Sequence, residues 1–415
     1  MLVIGLNYAP EPTGIAPYTT GLVEGLHEAG HQVRVIAAQP HYPSWKVAAE
    51  YEGRVVDESR AGVKVRRIRP WLPRRRGLAQ RAATELLFGF HAAQSSWGRP
   101  DRVVLVSPAL FSSGVAALVA RSRGLHVTIW VQDIYSQGLR ETGLTGPLSR
   151  AMQRVERTVL GMADSVVVIH ERFADVLVAR LAVPAHRVHV IRNWTHVQAD
   201  GGVDRHTTRA RLGWSPDDLV VLHTGAMGAK QGLENVVAAS ELAAANGSRV
   251  RFVLLGDGGR RAALEASAHP TARLTFLDPL PDEEYVAALW SADILLVNER
   301  RGLRETCVPS KLTSYLSTGL PVLAATDVSS ITAEELLRSG AGVRVDAQCP
   351  ESLLQAAEEL GADPERSAAL GRSGLAFRSR YLDRSVAIDA FERLLAEPAG
   401  DAGARQGNQV LSAGV

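Results

Sequence analysis

The chain has few cysteines, few aromatic residues and no large excess of either charge. Its 415 residues include only Cys307 and Cys349, which lie far apart and have no histidine or cysteine at metal-ligand spacing. A disulfide framework and a structural zinc site are therefore not indicated, and a reducing cytoplasm is expected. Because 46 basic and 44 acidic residues give a net charge of +2, the composition does not favour a nucleic-acid partner.

Long apolar runs are also missing. Met1–Leu6 leads directly into a short apolar strand without the basic and apolar regions of a signal peptide. The longest uncharged run covers the 18 residues 103–120, and Ser107-Pro108 and Ser112–Gly114 interrupt it. It predicts a strand followed by a helix rather than a membrane span.

What is present is a recurring pattern of apolar strand, turn and amphipathic helix, which predicts an α/β protein of two Rossmann-like domains. The stretch 195–209 has no apolar periodicity and is the best linker candidate. We predict an N-terminal domain over 1–197, a linker over 198–210 and a second domain over 211–381. The helix 382–396 is expected to pack back on the first domain, and 398–415 is expected to form a flexible tail.

The loop after the first strand, Asn7–Gly14, contains two prolines and a glycine. It is not the GxGxxG pattern of dinucleotide-binding enzymes, although Gly14 can lie against a ligand. A second loop at the same predicted sheet edge carries His41, Tyr42 and Trp45. These residues either line an acceptor pocket or belong to a packed surface loop.

The stretch 219–233 is the most informative in the chain. Four apolar residues predict a buried strand, and Gly225, Gly228 and Lys230 follow in a turn before a helix. Ligands bind at the carboxyl ends of strands in open α/β sheets, where glycines let backbone N–H groups approach an anion. Lys230 is therefore either a phosphate ligand or a solvated lysine after an ordinary turn.

A basic segment, Arg60–Arg81, contains nine Lys and Arg residues and no Asp or Glu. The helix that follows has an apolar stripe that includes Leu78, Ala82, Leu86 and Phe90. One interpretation is a helix that packs its stripe on the sheet. The other is a peripheral contact of this region with an anionic membrane.

Several short motifs occur in a family-specific order. They are Asn7-Tyr8-x-Pro10-Glu11-x-Thr13-Gly14, Ala163–Val168, Val190–Trp194, Gly225-x-x-Gly228-x-Lys230-Gln231-Gly232, and Pro309–Leu312 with Gly319-x-Pro321-Val322. With them the chain resembles the retaining glycosyltransferases of the family-4 type. This resemblance implies the GT-B fold, in which two Rossmann-like domains face each other across a cleft. The subgroup it resembles includes colanic-acid, exopolysaccharide and N-acetylfucosaminyl transferases.

The resemblance implies a nucleoside-diphosphate sugar donor, a glycan or lipid-linked acceptor in the cytoplasm, and no obligatory metal. It places the donor diphosphate between Gly14 and Lys230 and the nucleobase near Gly256 and Asp257. It places Asp133 beside the reacting sugar, although Gln132 stands where the family usually has a histidine. Ala226 stands where the family usually has an arginine.

The family's pair of glutamates is absent as well. Thr306 and Ser314 occupy those positions, and Glu305 or Lys311 could compensate. We include Ser310, Lys311 and Ser314 in the expected donor site. Without a positioned carboxylate nucleophile, the resemblance implies front-face transfer, in which the leaving diphosphate accepts the acceptor's proton. A nucleotide-sugar 2-epimerase and a non-catalytic nucleotide-sugar binder remain alternatives.

Overall fold

The computed structural model describes residues 1–12, 14–42, 44–73, 77–141, 146–195, 197, 202–303 and 310–396. The chain forms two compact units. Among the described residues, the first consists of Met1–Ile191 with Ala387–Ala396, and the second is Arg192–Val386. Each unit is built on its own sheet, with apolar strands in the centre and helices on both faces.

The first unit contains an eight-stranded sheet in the order β3-β4-β2-β1-β5-β6-β7-β8. Its strands are β1 (Leu2–Gly5), β2 (Arg34–Ala38), β3 (Val55–Arg60), β4 (Val63–Ile68), β5 (Arg102–Ser107), β6 (His126–Val131), β7 (Ser165–Val168) and β8 (Val188–Val190). All neighbouring strands are parallel except β3 and β4, which form an antiparallel edge pair. The helices are α1 (Ala16–Glu28), α2 (Leu78–Gln94), α3 (Leu110–Ser122), α4 (Tyr135–Glu141), α5 (Pro147–Gly161) and α6 (Glu171–Leu181).

The second unit contains a six-stranded parallel sheet in the order β11-β10-β9-β12-β13-β14. Its strands are β9 (Leu219–Thr224), β10 (Val250–Leu255), β11 (Leu274–Leu277), β12 (Ile294–Asn298), β13 (Val322–Ala325) and β14 (Gly342–Val345). Its helices are α7 (Arg205–Arg211), α8 (Glu234–Ala245), α9 (Arg261–Ser267), α10 (Asp282–Ser291), α11 (Ser310–Tyr315), α12 (Ile331–Ser339), α13 (Pro350–Ala362) and α14 (Pro364–Tyr381). This is the doubly wound order, and the direction of winding reverses between β9 and β12.

The segment predicted as a linker contains helix α7, so the linker prediction is wrong from Arg205 onward. Asp204 caps this helix by accepting from the N–H groups of His206 and Thr207. The Arg209 guanidinium is buried and donates to the carbonyls of Ser215 and Asp218. Because these bonds join the helix to the chain before β9, it is an ordered part of the second unit.

Helix α15 (Arg384–Ala396) follows α14 and packs, from Ala387 onward, in the first unit. Phe391 is fully buried there, with its ring 5.2 Å from the ring of Trp130 in β6. Glu392 also contacts His31 at 2.9 Å. The residues predicted as a tail, 398–415, lie outside the described part of the chain.

Helix α2 does not pack through the stripe singled out in its sequence. It buries Thr84, Glu85, Phe88, Gly89 and Ala92 instead. A Cβ at Gly89 would lie 2.8 Å from the Cα of Ser112 in α3, so the glycine permits close helix packing. The residues that remain exposed are Leu78, Leu86, Leu87 and Phe90. Of the two interpretations of this stripe, packing on the sheet is therefore wrong. No helix among the described residues is long and apolar enough to cross a membrane.

Candidate active site

The carboxyl ends of β9 and β10 are joined by two interlocked glycine loops. Gly225 has a φ of +97° and Gly256 a φ of +142°, conformations that residues with a side chain rarely adopt. A Cβ at Gly256 would lie 2.0 Å from the carbonyl oxygen of Gly225. Only glycine allows these two main chains to approach so closely.

Main-chain hydrogen bonds continue the parallel pairing of these strands into their loops. The Gly225 N–H donates to the Leu255 carbonyl at 2.8 Å, and the Met227 N–H donates to the Asp257 carbonyl at 2.8 Å. Asp257 is exposed, and its carboxylate accepts from the N–H of Gly258. Gly225, Gly228, Gly256 and Asp257, all expected at the donor site, therefore lie together at one edge of the second sheet.

Lys230 lies in the same loop and is exposed. The backbone around it is held by Asn298 at the end of β12, whose side-chain amide donates to the carbonyls of Gln231 at 2.7 Å and Gly232 at 3.0 Å. The Arg300 N–H donates to the Lys230 carbonyl at 2.8 Å. Asn298 was not predicted as a site residue. The sequence does indicate it, because a polar residue that ends a run of apolar strand residues often lies in a site at a sheet edge.

Lys311, at the start of α11, approaches the same edge from the other side of the switch point. Its ammonium group contacts Nε2 of His223 at 3.0 Å. His223 is fully buried, and its Nδ1 lies 3.2 Å from the Leu296 carbonyl. Because a carbonyl can only accept, Nδ1 carries the proton and Nε2 offers a lone pair to the lysine. Burial and the nearby lysine hold the pKa of His223 well below its usual value, so the ring is neutral.

Burial lowers the pKa of Lys311 to about 7, and the carboxylate of Glu299 opposes this shift. Glu299 follows β12 and accepts hydrogen bonds from the hydroxyls of Thr326 and Thr332. Its own burial raises its pKa. A lysine with a perturbed pKa at the switch point of a doubly wound sheet is typical of a ligand site. An anion bound beside it would favour its charged form.

The chain contains only four lysines, and two of them, Lys230 and Lys311, lie at this edge. A Cβ at Gly225 would lie 4.0 Å from Cε of Lys311. The edge therefore combines two lysine side chains with the backbone of a glycine loop. This combination is suited to an anion with several oxygens, such as a phosphate or diphosphate.

Ser314, which the sequence includes in the donor site, is 3% exposed. Its side chain forms a hydrogen bond with Tyr285, which also lies 3.3 Å from the Thr224 hydroxyl. The Thr224 N–H donates to the hydroxyl of Tyr315 at 2.9 Å. Ser314 therefore belongs to a buried network that supports the end of β9, instead of presenting its hydroxyl at the surface of this edge.

In the first unit, the loops after β1 and β2 are held together by one buried carboxylate. Glu11 accepts from the N–H groups of His41 at 2.8 Å and Tyr42 at 2.9 Å, and from the side chain of Asn7 at 2.7 Å. Glu11 belongs to the motif found in the sequence, but its role was not predicted because a carboxylate between two prolines looks like an ordinary surface residue. Its burial, at 5% exposure, is set by these distant partners.

The three aromatic residues expected at the acceptor site divide into two groups. His41 is 3% exposed and lies against Glu11 and the Gln39 carbonyl, so the prediction that it lines an open pocket is wrong. Tyr42 and Trp45 are exposed, with ring centroids 5.8 Å apart in an edge-to-face arrangement. Gly14 lies beside them, since a Cβ there would be 3.5 Å from the Tyr42 ring.

Arg67 is one basic residue of the segment Arg60–Arg81 that is not at the surface and so cannot contact a membrane. It lies in β4, is fully buried and donates to Glu58 at 2.7 Å and 2.9 Å and to the carbonyl of Ala9. Its neighbour Arg66 forms a bidentate pair with Asp57. These two arginines join β3 and β4 and support the loop after β1. Arg74, Arg75 and Arg76 lie outside the described residues.

The remaining residues predicted for the site lie in both units or outside the described part of the chain. Asp133 follows β6 in the first unit and is exposed, and Gln132 beside it is buried. Ser310 begins α11 and is exposed. Glu305, together with Thr306 and Pro309, lies outside the described residues.

With this geometry established, comparisons with known proteins identify the class. Residues 13–194 match the glycosyl transferase 4-like domain, and residues 218–363 match the glycosyl transferases group 1 domain. The chain belongs to the family-4 type of group 1 glycosyltransferases, as the resemblance seen in the sequence predicted. It is therefore a transferase.

Among its relatives is WcaI of Escherichia coli (strain K12), which is named as a colanic acid biosynthesis glycosyl transferase. It is 31% identical over 77% of this chain and 81% of its own length. A D-inositol 3-phosphate glycosyltransferase of Catenulispora acidiphila is 28% identical over 92% of this chain and 90% of its own length. Both are named as transferases, which favours transfer over the epimerase and the non-catalytic binder.

Solved structures confirm the GT-B fold. Sucrose-phosphate synthase from Thermosynechococcus elongatus superimposes with a TM-score of 0.73 at 18% identity, covering 95% of this chain and 98% of the other. The Anabaena protein Alr3699/HepE, solved in complex with UDP-glucose, gives a TM-score of 0.68 at 16% identity and covers 95% and 99%.

Proposed function

We propose that this transferase takes a sugar from a nucleoside-diphosphate sugar and transfers it, with retention, to a glycan or lipid-linked acceptor in the cytoplasm, for a cell-surface polysaccharide or glycoconjugate. The observation that carries the proposal is the placement of Lys230 and Lys311 at the switch point of the second sheet. The Escherichia coli relative named for colanic acid biosynthesis supports the cell-surface role.

In this proposal the donor diphosphate lies on the glycine loop of β9, and the two ammonium groups stabilise the charge that develops when the sugar leaves. The family's usual arginine and glutamate pair are replaced by Ala226, Thr306 and Ser314. Lys311, fixed by His223, supplies a charge that the arginine would otherwise provide. The two lysines would thus neutralise the negative charge on the leaving diphosphate, so the proposal requires no metal ion.

The acceptor side of the proposal uses the first unit. Tyr42 and Trp45 expose their rings beside Gly14. An exposed aromatic face with a polar edge suits the contact surface of a sugar ring. Asp133, exposed at the end of β6, is the group proposed to bind a hydroxyl of the transferred sugar.

Replacing Lys230 with alanine tests the donor site. We expect Lys230→Ala to lower kcat/KM. The decrease should correspond to a loss of roughly 1.5–3 kcal/mol of transition-state stabilisation, the range for a charge-assisted phosphate contact. Lys64→Ala is a matched control, because Lys64 is exposed on β4 in the other unit. Turnover of Lys230→Ala within twofold of wild type would remove this lysine from the site.

A thermal-shift screen of nucleoside diphosphates first identifies the base. Binding at about 100 times the dissociation constant stabilises a protein by about 2.7 kcal/mol, so a specific ligand is readily detected. Product formed from the nucleotide sugar alone would contradict transfer and indicate an epimerase. Diphosphate binding without turnover on any acceptor pool would contradict the catalytic proposal and indicate a binder.

A further inference from the structure

Lys311, at the carboxyl edge of the second sheet, has the surroundings of a nucleophilic amine. Its Nζ lies 3.0 Å from Nε2 of His223. His223 is fully buried in β9, and its Nδ1 lies 3.2 Å from the Leu296 carbonyl of the neighbouring strand β12. Proteins activate nucleophiles by this arrangement of a nucleophile, a base within hydrogen-bond reach and a third group that orients the base.

The hydrogen-bond roles of these groups follow from their chemistry. Because a carbonyl only accepts, Nδ1 of His223 carries its proton, and the lone pair of Nε2 faces Lys311. A neutral lysine amine has two N–H bonds and a lone pair. It donates one N–H to His223, so its own lone pair points away from the histidine ring. The histidine therefore holds the amine in an orientation that allows attack on a carbon atom.

The protonation state of Lys311 favours the neutral amine. Burial lowers the pKa of Lys311 to about 7. Among the described residues, the titratable groups that act on it are the neutral His223 in β9 and Glu299 after β12, whose carboxylate opposes the shift. At pH 8 roughly nine-tenths of this amine is neutral, whereas less than about one-hundredth of an ordinary lysine side chain is neutral.

A small ligand that carries an anionic group can reach this amine. Lys311 is only partly buried and lies in the first turn of α11 at the edge of the sheet. Gly225 places no side chain beside it, since a Cβ there would lie 4.0 Å from Cε of Lys311. The glycine loop of β9 and the exposed Lys230 at the same edge are suited to a phosphate group. A phosphorylated electrophile therefore meets an anion-binding loop and an activated amine together.

We propose that Lys311 is a modification site that captures a phosphorylated aldehyde as an imine. The lone pair of the amine attacks the aldehyde carbon, and a C=N bond replaces the C=O bond. The two hydrogens of the amine and the aldehyde oxygen leave as one water molecule, so no oxidant or reductant is needed. His223 accepts protons from the nitrogen and returns them to the departing oxygen.

This capture goes beyond sugar transfer, because it gives the edge a second class of ligand and requires neither donor nor acceptor. The imine replaces the ammonium group that we assign to the donor diphosphate. A bound diphosphate, in turn, favours the charged form of Lys311 and opposes attack. Modification and nucleotide binding are therefore expected to compete. This competition rests on the proposed function, whereas the capture itself does not.

Trapping with sodium borohydride tests the capture, with pyridoxal 5′-phosphate as the probe. Borohydride reduces the imine to a stable amine, and peptide mass spectrometry locates it among the four lysines Lys46, Lys64, Lys230 and Lys311. The exposed Lys46 and Lys64 are matched controls within the same chain. Lys311 should be labelled on the order of tenfold faster than they are, because its larger neutral fraction outweighs the lower nucleophilicity of a weaker base.

The pH profile of labelling gives a second measurement on the unchanged protein. The rate at Lys311 should rise up to about pH 7 and then level off, because the amine is then neutral. The rates at Lys46 and Lys64 should continue to rise with pH. Equal labelling of all four lysines, or a rate at Lys311 that rises without a plateau, would overturn the proposal.

Histidine variants test the activation of the amine. His223→Gln keeps an acceptor for Lys311, because its amide oxygen has about the reach of Nε2, and it should retain most of the labelling. His223→Leu removes the acceptor and should lower the rate at Lys311 by about tenfold or more. Thermal melting shows whether each variant folds. A folded His223→Leu that labels as fast as wild type would contradict the role of the histidine.

Two further comparisons test the ligand class and its relation to the donor. Pyridoxal lacks the phosphate and should label Lys311 about fivefold more slowly, and equal rates would overturn a phosphorylated ligand. The nucleoside diphosphate found by thermal shift should protect Lys311 but not Lys64. Labelling without protection would support capture and contradict only the placement of the donor beside Lys311. Nucleotide binding with proton uptake but without labelling would contradict capture and leave the proposed function intact.

Discussion

The loop after the first strand of each unit lies at the same place in its sheet but is held differently. In the first unit, buried charges fix the loop: Glu11 accepts from three donors and Arg67 reaches the Ala9 carbonyl. In the second unit, the loop is fixed by main-chain bonds to the neighbouring loop and by the neutral amide of Asn298. The first edge holds its charges inside the fold, whereas the second edge carries the exposed Lys230 and, beside His223, Lys311.

This difference explains what each edge presents. Arg67 and Glu11 of the first unit are buried and form their hydrogen bonds within the protein. The Tyr42 and Trp45 rings are exposed beside them. In the second unit the loop is held mainly by main-chain hydrogen bonds and by the amide of Asn298. In the proposed function, Lys230 and Lys311 bind the anion at this edge. In the proposed function, the same topology thus provides a surface for a sugar in the first unit and a surface for a diphosphate in the second.

The largest expected effect comes from breaking the glycine interlock of the second unit. Gly256→Ala places a Cβ 2.0 Å from the Gly225 carbonyl oxygen at a φ of +142°. We expect a loss of roughly 3–5 kcal/mol in the free energy of unfolding, from overpacking and backbone strain together. Urea unfolding measures it. Gly259→Ala is the control, because its Cβ would meet nothing within 4 Å, and an equal loss there would contradict the interlock.

The next largest effect should come from the buried carboxylate of the first unit. Glu11→Ala leaves the N–H groups of His41 and Tyr42 without their acceptor, and we expect a loss of about 3 kcal/mol. The exposed Glu52→Ala should change stability by less than about 0.5 kcal/mol. If Glu11→Ala also unfolded at the control's urea midpoint, buried charge would not be what holds this loop.

The sequence predicts those parts of the fold that are encoded locally. The run Leu219–Leu222 predicts a buried strand because a strand covered on both faces is apolar throughout. Strands β3 and β4 were not predicted, because they form an edge pair rich in charged residues. Most residues of β3 are exposed. Arg67 looked like a surface charge for the same reason. Its partner Glu58 comes from another strand, and single-sequence patterns do not reveal such pairings.

The sequence predicts that the glycines and Lys230 lie together at the end of β9, because they form a contiguous motif. The groups that hold this edge were not predicted, because His223, Asn298 and Glu299 come from the ends of two strands about 75 residues apart, and only the sheet order makes them neighbours. The pairing of Lys311 with His223 likewise depends on α11 lying across the end of β9. The family resemblance placed Lys311 near the donor without indicating its neutral histidine partner.

A smaller effect, in pH dependence, follows from that pairing. Free Lys311 has a pKa of about 7, so it loses its proton as the pH rises above that value. A bound diphosphate favours the charged form and raises the pKa in the complex. Binding above pH 7 therefore takes up a proton, and the affinity should fall by up to about tenfold per pH unit until the bound pKa is reached.

Isothermal titration at about pH 8, in two buffers with different ionisation enthalpies, measures this proton uptake directly. Lys311→Met should bind the nucleoside diphosphate more weakly, with the proton uptake lost. Lys230→Ala should also bind more weakly but retain the uptake, which separates the buried lysine from the exposed one. Equal uptake in wild type and Lys311→Met would show that another group titrates.

The smallest effect tests the aromatic surface of the first unit. Trp45 is 40% exposed and packs edge-to-face on Tyr42. Its replacement by alanine should therefore cost little stability, but it removes a ring face from the acceptor side. We expect Trp45→Ala to raise the acceptor KM about fivefold, the equivalent of about 1 kcal/mol for an aromatic contact. The KM for the donor should stay unchanged. A higher KM for the donor with an unchanged KM for the acceptor would mean that the aromatic pair binds the same ligand as the lysines. The assignment of one substrate to each edge would then be wrong.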